Sequence, residues 1–301
     1  MRCDAVFEGG GVKGIAFVGA VQETENRGYR FERLAGTSAG SMIASLLAAG
    51  YTGKELEQLL ATFPFSSFLK RKGLGRLPLI GDAYHLLVHA GLFGTEELYR
   101  WMDERLRQKG IRYFGDLRED KLKIIASDIT RGRMMILPDD LELYGLSSHR
   151  FPIALAVAMS CAIPLFFRPA LLKVREKERI YVVDGGLLSN FPVWIFDRKN
   201  PRWPTFGYRL QEEGKEDPHR IGGLISLCKA LINTALEAHD RMRLREQDAV
   251  RTISIPIKGV KATDFQLSEE KKKELVQVGK EEASRFFDRW NFQTYLARYG
   301  S

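Results

Sequence analysis

Two glycine-rich turns near the start of the chain constrain its fold more than any other feature. The first lies in VFEGGGVKGIAFVGAV, residues 6–21, where Gly9, Gly10, Gly11 and Gly14 separate a short apolar run from a segment of small apolar residues. The second is LAGTSAGSMI, residues 34–43, with Gly36 and Gly40 flanking Ser38. Each reads as strand, tight turn, helix. Residues 4–8, 31–35, 121–127 and 180–183 read as short apolar strands, and 12–27 and 39–49 as helices stopped by Gly28 and Gly50. Strands alternating with helices return to the same end of a sheet, so neighbouring strands run parallel and both sheet faces are covered. The expected fold class is α/β, a three-layer α/β/α arrangement around a central, mainly parallel sheet.

The remaining chain fits one large domain or two smaller ones, since 301 residues with 45% hydrophobic content suffice for a large core. The segment 63–93 has poor periodicity and mixes aromatics, leucines and glycines with Lys70, Arg71, Lys72 and Arg76. It reads as an insertion over the sheet, either a lid or membrane-docking element or a loosely packed cap. Residues 221–238 form the cleanest amphipathic pattern, a core-facing helix. Residues 268–289 read as a charged surface helix that starts on Ser268 with Glu269 and Glu270 in its first turn.

No run of 18 apolar residues occurs, and the N-terminus starts at once on the first strand without a signal-like apolar core. The expected location is cytoplasmic, with peripheral membrane contact. Cys3, Cys161 and Cys228 are widely spaced and read as small buried hydrophobes, so neither a disulfide framework nor a metal site is expected. The formal net charge of +8 suits an anionic surface. Aromatic and basic residues do not interleave as a base-stacking platform would, and no nucleic-acid partner is expected.

The first turn matches the dinucleotide pattern G-x-G-x-x-G at Gly9, Gly11 and Gly14, and an acidic residue, Glu32, follows near the place of a ribose-binding carboxylate. A dinucleotide-dependent oxidoreductase is therefore one reading. The second turn argues for another. Gly36-Thr37-Ser38-Ala39-Gly40 is G-x-S-x-G between a strand and a helix, the setting of a nucleophile elbow. Glycines beside the serine let neighbouring backbone pass close by, and the helix N-terminus favours negative charge developing there. An acyl-transfer site also needs oxyanion donors. The elbow supplies the Ala39 amide, and the Gly9–Gly11 loop supplies others if the first two strands are adjacent and parallel. The dinucleotide reading leaves Ser38 and its glycines without a role.

A third element, IYVVDGGLLSN at residues 180–190, ends an apolar strand in Asp184 and turns at Gly185 and Gly186. A carboxylate at the carboxyl end of a buried strand points into the ligand crevice of an α/β sheet. A histidine base could be His219 or His239, which follow the acid; His85, His89 and His149 precede it. The alternative is a Ser–Asp dyad in which Asp184 takes the serine proton directly.

In order, GGGVKG, GTSAG and DGG resemble the motifs of the patatin-like phospholipases, serine lipid acyl hydrolases with a Ser–Asp dyad. KIIASDITRG at 123–132 and SCAIPLFFRP at 160–169 are similar to further segments of that family. The resemblance covers residues 4–197 as a catalytic core, with 198–301 as added helices and strands on the same domain. It implies Ser38 as nucleophile, Asp184 as base, and the Gly9, Gly10 and Gly11 amides with Ala39 as oxyanion hole. Lys13, Gly14, Gly36, Gly40, Gly185 and Gly186 complete the motifs. It implies a phospholipid or other lipid ester as substrate and no cofactor. Lys13 stands where many members carry arginine, which keeps the charge and loses the bidentate fork. A catalytically silent lipid-binding protein is the remaining alternative.

Overall fold

The structure is a computed structural model that describes residues 1–63, 91–174, 178–213 and 245–299, with 221–223, 226, 227, 230, 231 and 234. The 63–93 insertion therefore lies almost wholly outside the described residues. Ten of the eighteen residues of the 221–238 helix lie outside them too, as do His85, His89, His219, His239 and Cys228. In chain order come β1 (Arg2–Phe7), a 3-10 turn (Gly11–Ile15), α1 (Ala16–Asn26), β2 (Arg30–Thr37), α2 (Ala39–Ala48) and α3 (Gly53–Ala61). Next are β3 (Gly91–Phe93), α4 (Glu96–Gln108), β4 (Leu122–Asp128), β5 (Arg133–Leu137) and α5 (Ile153–Ser160). Then follow β6 (Leu165–Phe167), β7 (Ala170–Val174), β8 (Glu178–Asp184) and β9 (Thr205–Glu213). The chain closes with α6 (Glu246–Val250), β10 (Thr252–Lys258), α7 (Glu269–Phe287) and α8 (Phe292–Tyr299).

Among the described residues eight strands form one sheet, joined as β10-β9-β1-β2-β4-β8-β7 with β5 also on β4, flanked by helices in an α/β/α arrangement. β3 and β6 pair separately. The strands β10, β9, β1, β2 and β4 are parallel. The sheet is nevertheless mixed, because β5, β8 and β7 run antiparallel to their neighbours. The strand that carries Asp184 is thus not one of the parallel set. The expected 12–27 helix is also split. Gly11 at φ 56° and the Val12 amide, donated to the Ala262 carbonyl at 3.0 Å, hold the first turn as a 3-10 turn before α1 begins.

The registers around β4 decide the geometry of the site. β5 occupies one edge of β4 from Ile124 to Asp128. Along the other edge, β2 pairs with residues 122–125 and β8 with residues 126–128. Two strands of opposite direction therefore meet head-on beside β4. Thr37 at the end of β2 pairs with Ile125, and Asp184 at the end of β8 pairs with Ala126.

β1 is buried from Cys3 to Phe7, as expected for a central strand covered on both faces. Phe7 packs edge-on against Phe17 of α1 and stacks on Tyr208 of β9, and Phe206 packs on Phe286 and Phe287 of α7. Val6 and Ala35 face the other way, against Phe196 in a 3-10 turn (Val193–Phe196) and its neighbours Phe191 and Ile195. Ser268 caps α7 by accepting from the Lys271 amide at 3.2 Å. α7 is charged outside but buries Leu275, Gly279, Ala283 and Phe287 against the rest of the fold. Its contact with α1 is backbone to backbone, since a Cβ on Gly279 would collide with the Ala16 carbonyl and one on Gly19 with the Val276 carbonyl. Gly279→Val should force these helices apart and lower the unfolding free energy by about 1–3 kcal/mol, read from the urea midpoint.

Candidate active site

Ser38 sits between β2 and α2 at φ 51° and ψ −124°, a conformation that a side-chain-bearing residue rarely adopts. The backbone is held there by packing that only glycine permits. A Cβ on Gly36 would run into the Gly40 backbone, and one on Gly40 into the carbonyl oxygens of Phe7 and Glu8 at the end of β1. The elbow is thereby pressed against the glycine turn, and a Cβ on Gly9 would lie 3.3 Å from the Ser38 Cβ. Gly14 rests on Ala39 in the same contact.

The Ser38 amide donates to the Ser160 hydroxyl at 2.8 Å, and that hydroxyl donates to the Ile125 carbonyl at 2.5 Å. Ser160, at the end of α5, thus ties the elbow to β4. Sequence reasoning placed it in an apolar segment and missed this role. The one signal was a lone hydroxyl closing the otherwise apolar helix IALAVAMS. The Ser38 carbonyl accepts from the Ser41 hydroxyl at 2.6 Å and from the Ser41 amide at 2.8 Å.

Asp184 is buried at 3% exposure, and its side chain accepts from the Gly186 amide at 2.7 Å. Its own amide donates to the Ala162 carbonyl at 2.9 Å. Gly185 passes so close to the Ile125 carbonyl that a Cβ would overlap it. The Ser38 hydroxyl lies within hydrogen-bonding reach of the carboxylate. Burial pushes the Asp184 carboxyl up to about 6, and the bonds from Ser38 and Gly186 oppose that rise only in part. The Cys161 thiol also borders both residues, and burial drives it far above its ordinary range, so it is held as the neutral thiol. Among the described residues the one histidine, His149, is exposed and makes no contact with either residue.

The glycine turn divides its amides. Gly9 donates to the Asn190 carbonyl at 3.2 Å, and the Asn190 side-chain amide donates to the Gly9 carbonyl at 3.4 Å. Gly9 therefore anchors the turn to the loop after Asp184. The Gly10 and Gly11 amides find no acceptor among the described residues, and neither does Ala39 as the first residue of α2. Lys13 is buried, and its ammonium pairs with Glu212 of β9 at 2.5 Å, so it braces the turn against the sheet. Glu8 just before the turn accepts from the Leu210 amide at 2.6 Å.

Glu32, the acid required by the dinucleotide reading, lies near the amino end of β2. It pairs with Arg118 at 2.8 Å, at the opposite end of the strand from Ser38 and the glycine turn. A dinucleotide whose pyrophosphate sat on that turn would have its ribose out of reach of this carboxylate. Among the described residues no cluster of three His, Cys, Asp or Glu is arranged to hold a metal, and no helix is long and apolar enough to cross a membrane.

A strand–serine–helix elbow facing a glycine turn, within an α/β/α fold, defines a lipase-like class of site. The family model of the patatin-like phospholipases matches residues 5–197. The protein YqhO of Bacillus subtilis (strain 168), described as uncharacterized, is 42% identical over 294 residues, covering 97% of this chain and all of that protein. The probable lipid hydrolase 463L of Invertebrate iridescent virus 6 is 26% identical over 200 residues, with 63% of this chain and 61% of that protein covered. The crystal structure of VipD from Legionella pneumophila shares the fold at a TM-score of 0.58 and 17% identity, over 95% of this chain and 66% of that one. The chain belongs to the patatin-like phospholipase family, a family of lipid-hydrolysing esterases.

The strain at Ser38 is measurable apart from any activity. A residue held at such a φ costs about 1–3 kcal/mol, which glycine relieves and alanine does not. Glycine gives back about 0.4–1 kcal/mol through a freer unfolded chain. Ser38→Gly should therefore exceed Ser38→Ala in unfolding free energy by about 1 kcal/mol in urea titrations.

Proposed function

We propose that the protein hydrolyses carboxylic ester bonds of membrane lipids, as a phospholipase A-type enzyme, through a Ser38–Asp184 dyad and an acyl-serine intermediate. The observation that carries this reading is the buried Asp184 carboxyl within reach of the Ser38 hydroxyl, beside which the Gly10, Gly11 and Ala39 amides have no acceptor among the described residues.

In the proposed sequence the Ser38 Oγ attacks the ester carbonyl as its proton passes to Asp184. The oxyanion that forms accepts from the Gly10, Gly11 and Ala39 amides, two of them at the glycine turn and one at the N-terminus of α2. Gly9 is left out of this set because its amide already serves Asn190. Collapse of the tetrahedral species breaks the C–O bond, and Asp184 returns its proton to the departing alcohol oxygen. Water then gives a proton to Asp184 and attacks the acyl carbonyl. The second collapse frees the fatty acid, and the proton returns to Ser38 Oγ. A carboxyl near 6 suits both halves of this cycle, since proton donation and acceptance are both accessible near neutral pH. The dyad is preferred over a histidine triad because the Ser38 hydroxyl bonds the Asp184 carboxylate and His149, the one histidine among the described residues, makes no contact with either.

Ser38→Ala and Asp184→Asn should each reduce hydrolysis of a p-nitrophenyl ester by orders of magnitude, and near-full activity in either variant would refute the dyad. The pH dependence follows from Asp184 acting as the base. It must be ionised to accept the serine proton, so kcat/KM should be level above about pH 6 and fall towards tenfold per pH unit below it. A rate unchanged between pH 7 and pH 5 would assign the base to another group.

A further inference from the structure

The strands beyond the dyad carry an exposed face that catalysis does not use. β4 and β8 continue past Ser38, and β7 pairs with β8 along its outer side. On one face of this extension three apolar side chains form a row. Leu171 is directly opposite Tyr181, and Ile129 adjoins Tyr181 on the other side, its amide donating to the Tyr181 carbonyl at 3.0 Å. Their exposures are 46%, 51% and 46%, whereas Leu172, Val174, Ile180 and Val182 on the reverse face are buried. The row is therefore an outward apolar stripe and not the margin of the core.

The next rung on the same face is cationic. Lys173 pairs in register with Arg179, and both are exposed. Neither makes an ion pair among the described residues; the nearby Glu178 is engaged by Arg131 at 2.5 Å. Like charges directly opposite one another on a sheet destabilise it, so the fold derives no stability from this rung. An apolar row followed by a basic row that pairs with no acid among the described residues is the profile of a surface that enters the headgroup boundary of an anionic bilayer.

Position makes the argument specific. Tyr181 precedes Asp184 by three residues on an extended strand, about 10 Å. The β4–β8–β7 extension projects from the carboxyl edge of the parallel strands, the edge at which Ser38 and the glycine turn open. The Leu171–Tyr181–Ile129 row thus lies on the part of the sheet that extends beyond that edge. We propose that this face of the β7–β8 hairpin docks the protein on anionic lipid bilayers, with Leu171, Tyr181 and Ile129 entering the interface and Lys173 and Arg179 binding lipid phosphates. The choice of a lipid bilayer as occupant rests on the lipid-hydrolase reading above.

The test is sedimentation with vesicles of phosphatidylcholine alone and of equal parts phosphatidylcholine and phosphatidylglycerol. The Ser38→Ala protein is used so that the vesicles are not consumed. It should bind the anionic vesicles more tightly, and less so as salt is raised. Adding Leu171→Ser with Tyr181→Ser, or separately Lys173→Glu with Arg179→Glu, should weaken that binding about tenfold or more. With Ser38 restored, both double variants should keep hydrolysis of a soluble short-chain ester and lose it on vesicle lipid. Unchanged vesicle binding in both pairs would overturn the docking proposal and leave the dyad standing. A dimer that the Leu171→Ser, Tyr181→Ser pair dissolves, with vesicle binding unaltered, would overturn it in favour of a second copy of the chain. Hairpin-dependent binding in a protein whose Ser38 form hydrolyses no ester would sustain docking and refute the dyad.

Discussion

One edge of β4 serves two strands that arrive from opposite directions, and the candidate site depends on that sharing. β2 runs out at Thr37 beside Ile125, and β8 runs out at Asp184 beside Ala126. The two chain ends are brought together by one ladder of backbone hydrogen bonds, so their separation does not depend on flexible side chains. Ser160 adds a second tie, bridging the Ser38 amide and the Ile125 carbonyl. Ser127 and Thr37 add bonds to the carbonyls of Gly185 and Ser189, at 3.4 and 3.1 Å. Such a frame fixes the spacing of Ser38 and Asp184 through backbone pairing, which the proposed proton transfer between them would require.

The same frame makes the site electrostatically unusual. Burial raises the Asp184 carboxyl, and few donors are present to lower it. The φ of Ser38 is retained because Gly36 and Gly40 allow the elbow to lie directly on the end of β1. Both features oppose stability locally, and the surrounding sheet and helices sustain them. That is a frequent arrangement at reactive sites, where strain and a displaced proton affinity belong to the function. Lys13 shows the supporting role of charge here: its pair with Glu212 joins the glycine turn to β9, which carries the chain far beyond the motifs into the same sheet.

Much of this was legible from local patterns. Gly36 and Gly40 around Ser38, with an apolar run before and small residues after, can hardly form anything but a sharp strand–helix turn, and the structure has that turn. The limits were equally physical. The alternation of strands and helices predicts parallel pairing, but β8 is antiparallel, and a short apolar strand has no feature that encodes its direction. Which of the three consecutive amides of the turn is already engaged depends on Asn190, distant in sequence, whose carbonyl accepts from Gly9. Ser160 was overlooked for the same reason, since its partners lie on two other elements. Glu32 fitted the dinucleotide spacing by number alone; its place at the far end of β2 appears only when the strand has an orientation.

By itself the sequence determined the local chemistry: two glycine turns at helix starts, a serine in one of them, and a carboxylate ending an apolar strand. These follow from short-range sterics and hydrophobic pattern, which act over a few residues. Tertiary structure decided that Ser38 and Asp184 meet, that the Gly9 amide of the glycine turn is taken by Asn190, and which face of β7 and β8 points outward. Those outcomes depend on strand pairing between segments more than a hundred residues apart, where the deciding hydrogen bonds form between backbone groups that are chemically alike in every residue except proline.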